Sequence, residues 1–237
     1  MKNVPFPRFR RIAAIIILVF STGILLWGYW PTVRSSQALS LDAKDMQIPS
    51  SGELSPAILE SRRLTFEWTR RIRKGDTALV RLILAKVEQE NEPASPQPPD
   101  QPFGESNQIP DIYISHSVMT EARLDMSGIQ DYPSDQVSQS LLPRETVTFT
   151  WRLKPERSGL SRGTVWTYLE FLPRDGGEGF QLPIYSQVVE IPVISLFGLT
   201  GPSARVIGVI GFLIGFLLIF DRVLARIWKR VSIHPAF

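Results

Sequence analysis

The sequence predicts a mainly β chain, a sandwich of short strands set between two apolar helices, one near each end. Three observations predict it. Ile12 to Trp30 runs for 19 positions without a charged residue, and Val206 to Phe220 does so for 15. Between them, short stretches alternate apolar and polar residues and are punctuated by Gly- and Pro-rich turns, with little helical periodicity.

The first apolar stretch, read as transmembrane helix 12–30, would reach about 29 Å as a helix, close to the ~30 Å hydrocarbon core of a bilayer. Lys2, Arg8, Arg10 and Arg11 precede it within the tail 1–11. Trp27, Tyr29 and Trp30 close it with an aromatic cluster suited to headgroup level. A cleaved signal peptide is the competing reading, with Ser36 and Ala38 as the small residues of a cleavage site. The length of the run, its bulky aromatic end and Arg34 before any plausible cut favour a retained anchor.

The second helix is read over 204–228, after a linker at 195–203 and before a tail at 229–237. Pro202 suits its first turn, with Thr200 or Gly201 as cap, and Arg205 can snorkel outward. Beyond Asp221, the apolar positions Val223, Leu224, Ile227 and Trp228 continue at helical spacing among Arg222, Arg226, Lys229 and Arg230. Ala204, Gly208, Gly211 and Gly215 recur along one stripe, and Gly211 to Gly215 is a GxxxG. Such a stripe lets another helix approach closely, either the first helix of this chain or one from another protein.

Charge sets the expected topology. Both terminal flanks are basic, so both termini are expected in the cytoplasm and residues 31–200 outside it. Residues 31–200 hold 17 Lys or Arg against 22 Asp or Glu, whereas the whole chain is +3. The positive excess therefore belongs to the tails and is a topological signal. No nucleic-acid partner is expected. The lipid bilayer is one partner, and a membrane protein or a second copy of the chain is the other.

Residues 31–61 read as a tether with a short extended piece at Ala38 to Ala43, a candidate edge strand. The sandwich is read over 62–194. Leu64, Phe66 and Trp68 alternate with Thr65 and Glu67, and after a turn at Gly75-Asp76 the run Ala78 to Val87 offers Val80, Leu82 and Leu84 to a core. Residues 88–110 contain six prolines and almost no aliphatic side chains, so they read as an exposed or disordered insertion. Three overlapping PxxP motifs there are an alternative ligand for a proline-recognition module, which is unexpected outside the cytoplasm. Ile112 and Ile114, then Val118 to Met126, resume the strand signal. Val137 to Leu142 is a short strand.

The clearest strand is Thr146 to Lys154, with Val147, Phe149, Trp151 and Leu153 on one face. Thr164 to Leu172 follows, with Val165, Trp166, Tyr168, Leu169 and Phe171. RDGGEG, Arg174 to Gly179, turns the chain into Phe180 to Val193, interrupted at Pro183 and Pro192. With a tryptophan in a central strand and the Pro155-x-x-x-Gly159 loop before the next, this middle region resembles an immunoglobulin-like or fibronectin type III-like domain. It lacks the cysteine pair of antibody domains, and the resemblance implies a fold, not an activity.

The chemistry points away from catalysis. With no cysteine, disulfides, thiol catalysis and thiolate metal sites are all excluded. The two histidines, His116 and His234, fall on opposite sides of the membrane in the expected topology and cannot share a metal. Ser115 and Ser117 beside His116 lack a nucleophile-elbow signature. Asp125, Asp131 and Asp135 lie near a turn without EF-hand spacing and read as solvated acids rather than a calcium loop. Gly75, Gly176 and Gly177 form no phosphate cradle. No cofactor is expected, and the protein is read as no enzyme.

One basic cluster stands out: Arg62, Arg63, Arg70, Arg71, Arg73 and Lys74. It reads either as a contact for an anionic surface or as the charged face of a solvated edge strand. The leading functional reading is an accessory subunit whose outward domain binds a partner. The alternatives are an extracytoplasmic sensor signalling through partner helices, and a polysaccharide-export co-factor. Chain-length regulators of polysaccharide export are similar in topology alone, with one helix at each end.

Overall fold

In a computed structural model of the chain, residues 6–48, 57–87 and 111–231 are described. The proline-rich insertion expected at 88–110 lies outside them, as do part of the tether and the extreme tails. The chain forms two compact units. One is made of the first helix, the turn Arg73–Asp76 and the chain from Ile194 onward. The other spans Thr32–Ile72 and Thr77–Val193.

In the first unit, α1 covers Phe6–Tyr29 and α3 covers Gly201–Val231. Both are long and apolar enough to cross a membrane, with mean hydropathy of 2.2 over Arg10–Tyr29 and 2.1 over Gly201–Ile219. Most of each window is unburied, with large side chains such as Ile16, Val19, Phe20 and Leu217 on the outside. Thr200 is the N-cap of α3: its Oγ1 accepts from the Ser203 amide at 3.2 Å, and Pro202 sits in the first turn, where its missing N–H costs nothing. The helices pack antiparallel, with Gly28 beside Arg205 and Leu18 beside Gly215.

The second unit is β, with two five-stranded sheets. The strands are β1 (Arg34–Leu41), β2 (Arg62–Thr69), β3 (Ile72–Arg73), β4 (Ala78–Lys86), β5 (His116–Met126), β6 (Ile129–Tyr132), β7 (Val137–Ser140), β8 (Val147–Pro155), β9 (Gly159–Pro173) and β10 (Phe180–Ile194). One sheet runs β1-β2-β4-β8-β6, and the other runs β3-β10-β9-β5-β7. A single helical turn, α2 (Ile112–Ser115), leads into β5, with the Asp111 carboxylate accepting from the Tyr113 amide at 3.1 Å.

The core follows from two-residue alternation. On β8, Val147, Phe149, Trp151 and Leu153 are buried while Thr148, Thr150 and Arg152 are exposed. Val80, Leu82 and Leu84 of β4 and Leu64 and Phe66 of β2 complete that sheet's inner face. They form one cluster with Val165, Leu169 and Phe171 of β9 and Val118 and Leu124 of β5, so the two sheets bury their faces against each other.

Two stretches depart from the sequence reading: Ile112 and Ile114, read as extended, fall in the helical turn α2, and the first strand starts before Ala38. β1 begins at Arg34 and pairs with β2 along its whole length, from Arg34↔Thr69 to Leu41↔Arg62. Only Leu41 on it is buried, so the backbone ladder holds it and no apolar alternation announces it. On β9, Thr167 is buried and Trp166 is exposed, because the inward positions are Val165, Thr167, Leu169 and Phe171.

Candidate functional site

The antiparallel helix pair brings the C-terminus of α1 and the N-terminus of α3 to the same end of the first unit. Helix ends leave orphan carbonyls at one terminus and orphan amides at the other, with opposite partial charges. Here arginines from the turn and from α3 serve the carbonyls, while the amides of α3 go to the Lys74 carbonyl and to Thr200. Arg205 Nε donates to the Gly28 carbonyl at 3.0 Å, and its Nη2 lies 2.5 Å from Asp76 Oδ2. Arg73 donates to the Trp30 carbonyl, and its Nη1 stands 3.6 Å from the same Asp76 oxygen.

Asp76 thus faces two guanidiniums while its carboxylate lies against the first residue of α3, so close that a Cβ on Gly201 would meet Asp76 Cγ at 2.7 Å. The Gly201 amide donates to the Lys74 carbonyl at 2.8 Å, and Lys74 N–H donates to the Ile194 carbonyl at 2.8 Å. Gly75 makes the turn at φ +77, a backbone region that side-chain-bearing residues avoid. The aromatic cluster of α1 supports the arginines: the Arg73 guanidinium lies 5.4 Å from the Trp27 ring centroid and that of Arg205 lies 5.6 Å from Tyr29. Arg205 therefore folds back as a clasp instead of snorkelling outward.

Asp76 and Arg73 are largely buried and Arg205 is about one-third exposed, with side-chain exposures of 15%, 9% and 30%. Asp76→Ala is expected to cost about 1–3 kcal/mol, less than a fully buried pair because solvent reaches Arg205. Thermal unfolding of the full chain in detergent, followed by near-ultraviolet circular dichroism, checks this; an unchanged midpoint contradicts it.

Below the clasp, the small-residue stripe of α3 faces α1. Ala204 is fully buried, and a Cβ added at Gly208 would meet Leu25 at 2.8 Å, at Gly215 the Leu18 side chain at 3.0 Å, and at Gly211 the Ser21 hydroxyl. Ala204, Gly208, Gly211 and Gly215 are thus the seam of the helix pair within this chain.

The basic cluster does not stay together as one patch. Arg62 is fully buried beneath the β domain's surface, since it shares the inward parity of Leu64 and Phe66. Its guanidinium pairs with Glu60, donates to the Leu142 carbonyl at 2.9 Å and the Glu145 carbonyl at 2.7 Å, and reaches Tyr113 Oη at 3.4 Å. Burial pushes the Tyr113 hydroxyl up to about 12, with Arg62 pulling the other way. Arg73 belongs to the clasp. Arg63, Arg70 and Arg71 remain exposed and Lys74 is half-buried, with Arg70 Nε donating to Ser35 Oγ at 2.6 Å. β2 lies between β1 and β4, so it is no edge strand, and β1 takes that place.

Ser115 Oγ lies 2.8 Å from His116 Nδ1, in the helical turn before β5. Asp125 is taken by Arg123, whose Nε and Nη2 donate to it at 3.0 and 2.9 Å. Among the described residues, no three His, Asp or Glu side chains converge to hold a metal ion.

The sheet edges differ sharply. β6 and β7 are four residues each. β10 is covered by the two-residue β3 and carries Pro183 and Pro192, with a register irregularity between Pro183 and Tyr185. These are the devices that blunt an edge. β1 has none of them: eight residues, no proline, no bulge in its register and no charge after Arg34. The Arg70 amide donates to the Val33 carbonyl, which fixes the ladder's phase. By alternation, the residues of β1 whose N–H and C=O groups point away from β2 are Arg34, Ser36, Ala38 and Ser40.

No family model matches the chain, and no curated protein matches it. Among solved structures, it is similar to a chain from the complex of Zinc 2-glycoprotein with prolactin inducible protein from human seminal plasma. That pair is 9% identical with a TM-score of 0.29, and the match covers 70% of this chain and 98% of that one. AggA, the major subunit of aggregative adherence fimbriae type I from Escherichia coli, is 7% identical with a TM-score of 0.25, covering 68% and 96%. At such scores the likenesses carry no argument about fold or role.

Proposed function

We propose that this is a non-enzymatic, two-pass integral membrane protein, an accessory subunit of a membrane assembly, whose β domain binds a partner. Both termini lie in the cytoplasm and residues 31–200 lie outside it, a topology supported by the basic tails. The β domain is immunoglobulin-like or fibronectin type III-like, a reading supported by its two antiparallel sheets around the buried Trp151. The observation that carries the function is β1, the one long unblunted edge among the described strands. Its outward amides and carbonyls at Ser36, Ala38 and Ser40 offer a ladder to an extended segment of another protein, and strand addition of this kind draws affinity from the backbone itself.

Affinity purification of the full chain from mild detergent tests this. A stoichiometric protein is expected to co-elute. Ala38→Pro removes an outward donor without touching the β1–β2 ladder, so it is expected to cut that protein's recovery about tenfold, from one lost hydrogen bond plus a clash at roughly 1–2 kcal/mol. If nothing co-elutes, or recovery ignores the proline, the reading fails.

A second reading, an extracytoplasmic sensor, is favoured by the clasp, because Asp76 joins α3 to the turn that runs directly into β4. The same purification separates the two. A histidine kinase or anti-sigma factor among the co-eluting proteins supports sensing, and glycan-synthesis proteins support a polysaccharide-export co-factor.

A further inference from the structure

The outer face of β5 and β9 carries an open groove of about 460 Å³ lined by Asp125, Ser127, Asp131, Ser134, Arg162 and Trp166. Strand register explains why these residues meet. Arg123 stands opposite Trp166 and Asp125 opposite Thr164, while Ser186 and Val188 of β10 flank Trp166 and Thr164 on the far side. Trp166 keeps 37% of its surface exposed, and the neighbouring Val188 keeps 55%. A large aromatic ring left on the outside of a sheet, inside a polar concavity, is not explained by the core.

The charges around it are already neutralised in pairs. Arg123 holds Asp125, with donor distances of 2.9 and 3.0 Å, and Arg162 holds Glu190, with Nε at 2.8 Å. An anion at the groove would meet guanidiniums whose charge is already countered, and a cation would meet carboxylates that already have a counter-charge. Burial raises the remaining carboxyl, Asp131, above the usual aspartate range, with the Asp125 carboxylate pushing the same way. A neutral ligand rich in hydroxyls meets no such conflict. Each hydroxyl both donates and accepts, so it can bond to the spare lone pairs of a paired carboxylate or to a serine or threonine oxygen without breaking either ion pair. The apolar face of a sugar ring, with its axial C–H groups, matches the exposed indole, and a few placed polar groups around an aromatic platform suit orientation and selectivity.

We infer that this groove is a glycan-binding subsite for a neutral oligosaccharide, with Trp166 as the stacking platform and Asp125, Asp131, Arg162 and the groove serines as hydrogen-bonding partners. It is separate from the β1 edge, so failure of the co-elution experiment would leave it standing.

The full chain in lipid nanodiscs, free of glycoside detergents, should be titrated with maltohexaose, cellohexaose and N-acetylated chitohexaose. Binding is read by calorimetry and by saturation-transfer difference NMR of the sugar protons. At least one of the three is expected to bind. Trp166→Ala is expected to weaken binding about tenfold while Trp166→Phe retains most of it, and Asp131→Asn serves as an independent variant that keeps the shape of the side chain. The proposal is overturned if none of the three binds at millimolar concentration, or if binding survives both Trp166→Ala and Asp131→Asn. It is equally overturned if the groove takes only a penta-lysine peptide, which would make it a site for a basic protein segment.

Discussion

Replacing Arg62 with methionine is expected to destabilise the β domain by about 3–5 kcal/mol, the usual consequence of removing one partner from a buried charge network. Arg62 is fully enclosed, and its guanidinium satisfies the Glu60 carboxylate, the Leu142 and Glu145 carbonyls and the side of Tyr113. Methionine fills similar volume but leaves the carboxylate, only 15% exposed, without its counter-charge. The loss is therefore set by what stays behind. Changing Glu60 to methionine as well should recover a substantial part of it, although the Arg144 amide, which donates to Glu60 at 3.0 and 3.1 Å, then turns to solvent. Urea unfolding of the full chain, followed by tryptophan fluorescence, measures both variants. If the double variant proves less stable than Arg62→Met alone, the network account is wrong.

The second large effect belongs to the helix seam. Gly211→Ile with Gly215→Ile places branched side chains where a single Cβ already collides with Ser21 and presses on Leu18. Overpacking costs about 1–3 kcal/mol per site, so about 2–6 kcal/mol for the two, and at ~1.4 kcal/mol per factor of ten the packed pair should fall by roughly 30-fold or more. The chain has no cysteine of its own, so a reporter pair can be introduced without background. Leu25→Cys with Gly208→Cys, positions in direct contact, is expected to form an intrachain disulfide that the two isoleucines abolish. An undiminished crosslink would remove the small-residue stripe as the basis of the pairing.

How far the architecture can be read from residues alone depends on where its stabilisation comes from. β8 and β4 announce themselves because burial alternates strictly along them, and the helices do so because apolar length is a property of local sequence. The stripe Ala204, Gly208, Gly211 and Gly215 is a periodicity of the same local kind. The bounds of β1 are hard to read because its hydrogen bonds go to β2 while nearly all its side chains stay in solvent, so the extended piece at Ala38 to Ala43 starts four residues late. Arg62 reads as a surface charge in the company of Arg63, although its parity with Leu64 and Phe66 points inward. On β9 the adjacent large residues Val165 and Trp166 leave the inward face open in the sequence, and the structure buries Val165 and exposes Trp166. Nothing local could have found the clasp, since Asp76 and Arg205 are 129 positions apart.

That separation bears on synthesis. The unit that includes both helices is assembled from three stretches of chain, and its last essential part, the start of α3 at Gly201, follows Trp30 by some 170 residues. At about 5–20 residues per second, the ribosome needs roughly ten to thirty seconds to supply it. In the proposed topology α1 spends that interval in the bilayer without its mate, so its own apolar length must keep it inserted. The glycine seam and the ion pairs then act on a helix that lipid has already placed.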